Sequence, residues 1–245
     1  MKRPIDRGLI LRLVAVLVLG LAILITGESD AARYSYDSTV IPENSIPELD
    51  RQTYIFLTEY GKDVKEMSKK YGVDWRLVLA VLRQESAFDP SAVSYMGAQG
   101  FMQIMPSTGL HLALTHNIED LSNPTMNIQL GIIHLRDLMR SFPQANGKNR
   151  IELAIAAYNC GLSRVEDAQS IAEFLGDDPN SWPAVKSALP LLSSRYAPLQ
   201  RHIWRSGRPN SGYFGDYGQT LTYVGNVMHY YTLYQNVLPR SAGQF

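Results

Sequence analysis

Cysteine is nearly missing from this chain: Cys160 is the one thiol in 245 residues. A single thiol forms neither an intramolecular disulfide framework nor a thiolate metal cluster, so the fold must be held by its core. Net charge is missing too, because 23 basic residues balance 23 acidic ones. No global field draws such a chain to nucleic acid, and none is expected as a partner. Strand periodicity is absent as well: no segment alternates polar and apolar residues convincingly. What remains is a mainly α fold, with a length that suits one domain of moderate size plus an appendage.

One apolar run stands out. Lys2, Arg3 and Arg7 precede the stretch from Leu13 to Ile25, with Arg12 just upstream. That order is an export signal, expected over residues 1–26 as a cleaved signal peptide or an uncleaved anchor. Ser29-Asp30-Ala31 offers small residues for cleavage. The run is short against the ~20 apolar residues of a spanning helix, although Leu9 to Thr26 would serve if Arg12 snorkels. No Cys follows it, which excludes a lipid anchor. Membrane contact is therefore expected only through this segment, if uncleaved, and the expected location is the periplasm or cell envelope. Residues 27–50, with Pro42 and Pro47, read as a tether; 51–239 form the folded domain and 240–245 a tail.

Within that domain the stretch Leu77 to Thr108, LVLAVLRQESAFDPSAVSYMGAQGFMQIMPST, is unusual. Val78, Val81 and Leu82 recur at helical spacing, and Glu85 falls next on the same stripe. Asp89-Pro90 marks the helix as ended, so Glu85 lies near its negative dipole end. Apolar surroundings and that dipole both disfavour ionisation, which predicts a raised pKa and a general acid. The plainer alternative is a carboxylate that turns to solvent or pairs with Arg83. Ser94 to Gly100 is a loop with two glycines that lets a backbone approach a ligand. It leads into Phe101 to Pro106, where Gln103 sits among large apolar residues, a mixture suited to a polymer of hydroxyl and N-acetyl groups.

The other helices follow from periodicity and caps. Arg51 to Tyr71 carries Ile55, Val64 and Met67 on one stripe and stops at Gly72. The next helix runs from an Asp74 N-cap to Glu85. Pro106 opens a helix toward Leu114, and Asn123-Pro124 opens another with Ile128, Ile132, Leu135 and Met139 in a stripe; its Gly131 is placed to admit a neighbouring backbone. Ile151 to Tyr158 is nearly apolar all round and rich in Ala, as a central helix would be, with Gly161 at its end and a Ser163/Glu166 capping box beyond. Arg195, Arg201, His202, Arg205 and Arg208, interleaved with Tyr196 and Trp204, form either a cleft wall or a solvated loop. Gln219 to Leu238 closes the chain with Val224, Val227, Met228, Tyr231 and Tyr234 on an apolar face.

Glu85-Ser86, Ser94, Gly97-Ala98, Gly100, Met102-Gln103 and Met105-Pro106, then Ala157-Tyr158-Asn159 and Gly161, resemble the signature of the soluble-lytic-transglycosylase domain, a branch of the lysozyme-like fold. Trp182 through Leu192, Tyr223-Val224, Val227 and Tyr230-Tyr231 are similar to the catalytic half of the membrane-bound lytic murein transglycosylase F family. These blocks cover roughly residues 52 to 238. The resemblance implies a lysozyme-like helical bundle that acts on peptidoglycan glycan strands, with 51–239 as catalytic domain, Glu85 as the catalytic acid, and no metal or cofactor. It implies that Ser94, Gly100, Gln103, Tyr158, Asn159 and Tyr223 meet the substrate, with Met102 and Met105 as apolar walls. Cys160 replaces the Ala usual in the pattern and reads as a small buried residue.

Two-carboxylate glycosidases need a second Asp or Glu. Asp89, beside Pro90, reads instead as a turn residue. A lytic transglycosylase, as the resemblance implies, needs one carboxyl: Glu85 protonates the bond between N-acetylmuramic acid and N-acetylglucosamine, then takes the proton of the muramoyl C6 hydroxyl to close a 1,6-anhydro ring. The competing functions are a goose-type lysozyme-like hydrolase of the same bond, a non-catalytic glycan-binding envelope scaffold, and a cysteine hydrolase built on Cys160, for which no spacing speaks. Protein partners in the envelope are not named by any motif.

Overall fold

A computed structural model describes residues 49–116 and 123–238. The export segment, nearly all of the tether and the tail expected from sequence therefore lie outside the described residues. Among those described, no helix is long and apolar enough to cross a membrane. The mainly α expectation holds: nine α-helices and two short 3-10 turns are described, and β structure is limited to isolated bridges, Val93 with Gln99 and Gln99 with Ile104. Those bridges fold the loop from Val93 to Ile104 back on itself.

The chain divides into two compact units, one from Pro47–Leu162 with Gln219–Phe245 and one containing Ser163–Gly218. In the first, α1 (Arg51–Tyr71) starts at Asp50, whose carboxylate accepts from the backbone of Gln52 and Thr53 at 3.1 and 3.0 Å. It stops at Gly72, whose left-handed φ of 71° suits a residue without Cβ. Its buried face is Thr53, Phe56, Gly61, Val64 and Ser68. Ile55, expected on that face, is exposed: it stands ~100° around the helix from Phe56. Small hydroxyls, rather than a continuous aliphatic stripe, meet the core, and Thr53 reaches the Tyr234 hydroxyl at 3.1 Å.

Helix α2 (Trp75–Ser86) is the centre of this unit, with every residue from Trp75 to Leu82 buried. Asp74 caps it by accepting from Arg76 N at 3.0 Å. It ends in two successive left-handed residues that are not glycine, Ala87 (φ 51°) and Phe88 (φ 66°). Such strain persists only where surrounding contacts enforce it, and here it begins two residues after Glu85.

Helix α3 (Pro106–His116) packs on α4 (Pro124–Arg140), and α4 also packs on α1 and on α5 (Gly147–Cys160). The α4 stripe is as expected at Ile128, Ile132 and Leu135, which are fully buried. Gly131 is corrected in one respect: a Cβ there would fall 2.5 Å from the Met102 side chain, so the close neighbour is a side chain and not a backbone. Leu153 to Ala157 of α5 are buried throughout, as a central apolar segment requires. Helix α6 (Leu162–Leu175) begins one residue after Gly161, whose φ of 94° makes the turn alone. Ser163 is thus already helical and the expected capping box does not form. The last helix of the series, α9 (Tyr217–Val237), buries Tyr223, Val224, Val227, Tyr231 and Tyr234.

The second unit contains α6, α7 (Trp182–Ala188), 3-10 turns at Leu189–Leu192 and Ser194–Tyr196, and α8 (Ala197–Ile203). Gln200, fully buried, donates to the carbonyls of Leu191 and Ser193 at 2.8 and 2.9 Å. The Asp167 carboxylate takes the backbone and hydroxyl of Ser211 at 2.8 and 2.6 Å. Buried polar groups here tie loops that have no strand or long helix to hold them. Arg195, Arg201, His202, Arg205 and Arg208 are all exposed, as both the cleft-wall and the solvated-loop readings require.

Candidate active site

Glu85 emerges in the last turn of α2, one turn past the fully buried Val81 and Leu82. It is half-buried, so water reaches part of the side chain while protein surrounds the carboxyl. Burial pushes its pKa up to about 7, against an opposing hydrogen bond from Tyr223. That bond runs from the Tyr223 hydroxyl to Glu85 Oε1 at 2.5 Å. It comes from a buried residue on α9, 138 positions along the chain. No carboxylate contributes to the Glu85 shift, whose causes are burial and that phenol.

Tyr158, at the end of α5, lies within reach of the same charge. Burial first and the Glu85 charge second hold its phenol well above the ordinary range, so it is a donor at any working pH. Its hydroxyl donates to the Met102 carbonyl at 2.8 Å. Beside its ring, at 5.1 Å between centroids, is His134 of α4. Burial lowers the His134 pKa, opposed by Asp137, and so keeps the imidazole neutral near pH 7.

The loop between α2 and α3 is closed by its own polar groups. Ser94 N donates to the Ala98 carbonyl at 2.9 Å, and the Ser94 hydroxyl accepts from Ala98 N at 3.0 Å. Gln103, at φ 45°, turns its amide inward, with Nε2 donating to Ala92 and Gly100 carbonyls at 3.0 and 2.9 Å. The loop is anchored to α2 by Ser86, whose hydroxyl reaches the Phe101 carbonyl at 2.9 Å. Asn159 is exposed and accepts from the Thr220 hydroxyl at 2.8 Å. A half-buried acid with a neutral-range pKa, two fixed phenols and a rigid loop can donate and retrieve one proton.

Residues 63–180 match the family described as the transglycosylase SLT domain. That stretch is an SLT domain. It is 31% identical over 229 residues to membrane-bound lytic murein transglycosylase F 1 of Alkalilimnicola ehrlichii, covering 85% of this chain and 43% of that one. The chain spans less than half the length of the curated relatives it matches. Among solved structures, the 70 kDa soluble lytic transglycosylase of Escherichia coli has a TM-score of 0.53 at 24% identity, over 80% of this chain and 28% of that one, and shares the fold. An inactive Glu-to-Gln mutant of lytic transglycosylase Slt from Pseudomonas aeruginosa has a TM-score of 0.51 at 25% identity, over 76% and 25% of the two chains.

The first unit brings Glu85, Met102, Tyr158 and Tyr223 together, but not always by the groups sequence suggested. Met102 is corrected: its side chain is fully buried against Gly131 and cannot wall a groove, whereas its carbonyl holds Tyr158. Gly100 is also corrected. A Cβ there would fall 2.7 Å from the Asn127 amide, so the glycine admits an internal side chain rather than a ligand. Ser94 closes its own loop, and both Gln103 donors are spent within that loop, which leaves Gln103 Oε1 as the atom with acceptor capacity. Met105 is exposed, as a wall residue must be. Tyr223 is 5% exposed and faces the acid itself. Asp89 accepts from the backbone and hydroxyl of Ser91 at 2.8 and 2.6 Å, the turn role expected of it.

Sequence reasoning missed Asn127, His134 and Thr220. A signal for the first two existed: Asn127, Gly131 and His134 recur at four and three residues on α4, a polar and small face beside the Ile stripe. Nothing in the sequence singles out Thr220.

Proposed function

We propose that this chain is a peptidoglycan lytic transglycosylase that cleaves the β-1,4 bond between N-acetylmuramic acid and N-acetylglucosamine without water. Glu85 gives its proton to the N-acetylglucosamine O4 as the C1–O4 bond breaks. The carboxylate then takes the proton of the muramoyl C6 hydroxyl as that oxygen bonds to C1, which leaves a 1,6-anhydro end and restores the acid. The observation that carries this reading is the setting of Glu85: its Oε1 accepts from the buried Tyr223 hydroxyl at 2.5 Å, and burial, against that bond and with no second carboxylate among the causes, pushes its pKa up to about 7. A curated relative named as a lytic murein transglycosylase, and a solved neighbour inactivated by a Glu-to-Gln change, support it.

In this reading Tyr223 steadies the carboxylate, Tyr158 fixes the loop edge, and Asn159, Gln103 Oε1 and Met105 meet the glycan. The step uses protein groups alone. Residues 51–239 form the catalytic domain, and the N-terminal segment delivers it to the cell envelope, with membrane contact if it is retained. The test is release of soluble fragments from purified wall sacculi by the full-length protein beside Glu85→Gln. The amide has the carboxyl's shape but no acidic proton, so release should stop while the helical circular dichroism is unchanged. Equal release by both proteins would sink the assignment, and binding without release by the wild type would favour a glycan-binding scaffold.

A further inference from the structure

The mechanism uses Tyr158 and the loop edge it bonds, but says nothing of what sets that edge. Asn127 is one of few polar side chains buried in this unit, at 7% exposure, between the fully buried Ile128 and the neighbouring turns of α4. A buried amide is costly unless its groups are bonded, and here both are. Its Oδ1 accepts from Met102 N at 2.9 Å, and its Nδ2 donates to the Gln99 carbonyl at 3.0 Å. One side chain thus stands in for a strand edge across the segment Gln99 to Met102. Gly100 lies against the amide with no room for a Cβ, and Gly131, one turn further along α4, holds the Met102 side chain in the same manner.

The opposite edge of that segment faces the acid. The Met102 carbonyl holds the Tyr158 hydroxyl, and the Phe101 carbonyl holds Ser86, the residue after Glu85. Met102 therefore has its N–H fixed by α4 and its carbonyl fixed to α5. We infer that Asn127 is a positioning residue that sets the Met102 carbonyl, and through it Tyr158, against Glu85 for the cleavage proposed above. The inference rests on that reading of the site. Asn127 touches no substrate; it acts through the backbone of Met102.

The test is steady-state cleavage of soluble glycan oligomers by full-length wild type, Asn127→Ala, Tyr158→Phe and the double variant. Asn127→Ala should lower kcat by roughly 10- to 100-fold, the scale of a displacement near 1 Å, with KM within about 2-fold. If Asn127 acts through Tyr158, the double variant should be little slower than Tyr158→Phe alone. Asn127→Asp keeps the oxygen that accepts from Met102 N but can donate to the Gln99 carbonyl only when protonated, so it should recover kcat at acid pH and lose it as the carboxyl ionises; it also serves if the Ala variant does not fold. Independent losses that multiply in the double variant, a loss confined to KM, or wild-type kcat in a folded Asn127→Ala would each overturn the inference. No turnover by the wild type would instead remove the functional reading on which it stands.

Discussion

At the scale of single residues, the pKa of Glu85 is a balance between burial, which raises it, and the Tyr223 hydroxyl, which lowers it. Tyr223→Phe removes only the second. The carboxyl should then hold its proton to higher pH, moving the basic limb of the kcat/KM profile upward. Because in the proposed cycle the ionised form also retrieves a proton, kcat should fall by roughly 10-fold. A basic limb that stays in place would show that the bond does not tune the acid. Burial has a cost in stability with a definite sign. A folded pKa of about 7 against an ordinary 4.5 means that the Glu85 contribution to stability is fully present below 4.5 and is lost as pH rises through 7. Glu85→Gln lacks that decline. It should melt with the wild type at pH 4 and be more stable at pH 8 by on the order of 2 kcal/mol, a value reduced for the carboxyl's partial contact with water.

At the scale of elements, α4 and α5 meet the loop through contacts that leave no spare volume. Gly131→Ala would put a methyl 2.5 Å from Met102. It should destabilise by about 1–3 kcal/mol, read as a lower denaturant midpoint, and displace the Met102 carbonyl with a loss of activity. An active, fully stable Gly131→Ala would mean that Met102 repacks freely. This is also the scale at which sequence was most and least informative. The limits of α1, the Asp74 cap and the Gly161 stop were legible because each rests on the chemistry of one or two adjacent residues. Ile55 was misplaced because Thr53 and Ser68, both polar by type, occupy the buried face of α1. Met102 and Gly100 were assigned to a ligand because their partners, Gly131 and Asn127, lie about 30 residues on in another helix. No local pattern reports such a pairing. Glu85 was legible because a carboxylate on an apolar stripe is a local anomaly, whereas its bond to Tyr223 spans 138 positions and was not.

At the scale of the whole molecule, the helices of the first unit are joined by acidic groups that must stay ionised. Asp74 is partly buried, which raises its pKa, yet hydrogen bonds from Arg76 and Tyr231 together bring it below the ordinary value. Asp50 is balanced the same way: burial raises it, and Thr53 and Arg83 lower it further. Depressed folded values stabilise above the unfolded pKa near 3.8 and lose that contribution as pH falls through the folded pKa. Acid unfolding should therefore begin below pH 4, and Asp74→Ala, which removes the α2 cap and the tie to Tyr231, should cost about 1–3 kcal/mol at pH 7. An Asp74→Ala protein as stable as wild type at pH 7 would contradict that role. The central claim is that one carboxyl, unaided by a second, breaks the glycan without adding water. Mass spectrometry of the sugars released from purified sacculi reads this directly. Fragments ending in 1,6-anhydro-N-acetylmuramic acid, one water lighter than hydrolysis products, are expected; reducing-end N-acetylmuramic acid in their place would contradict the claim and indicate a hydrolase.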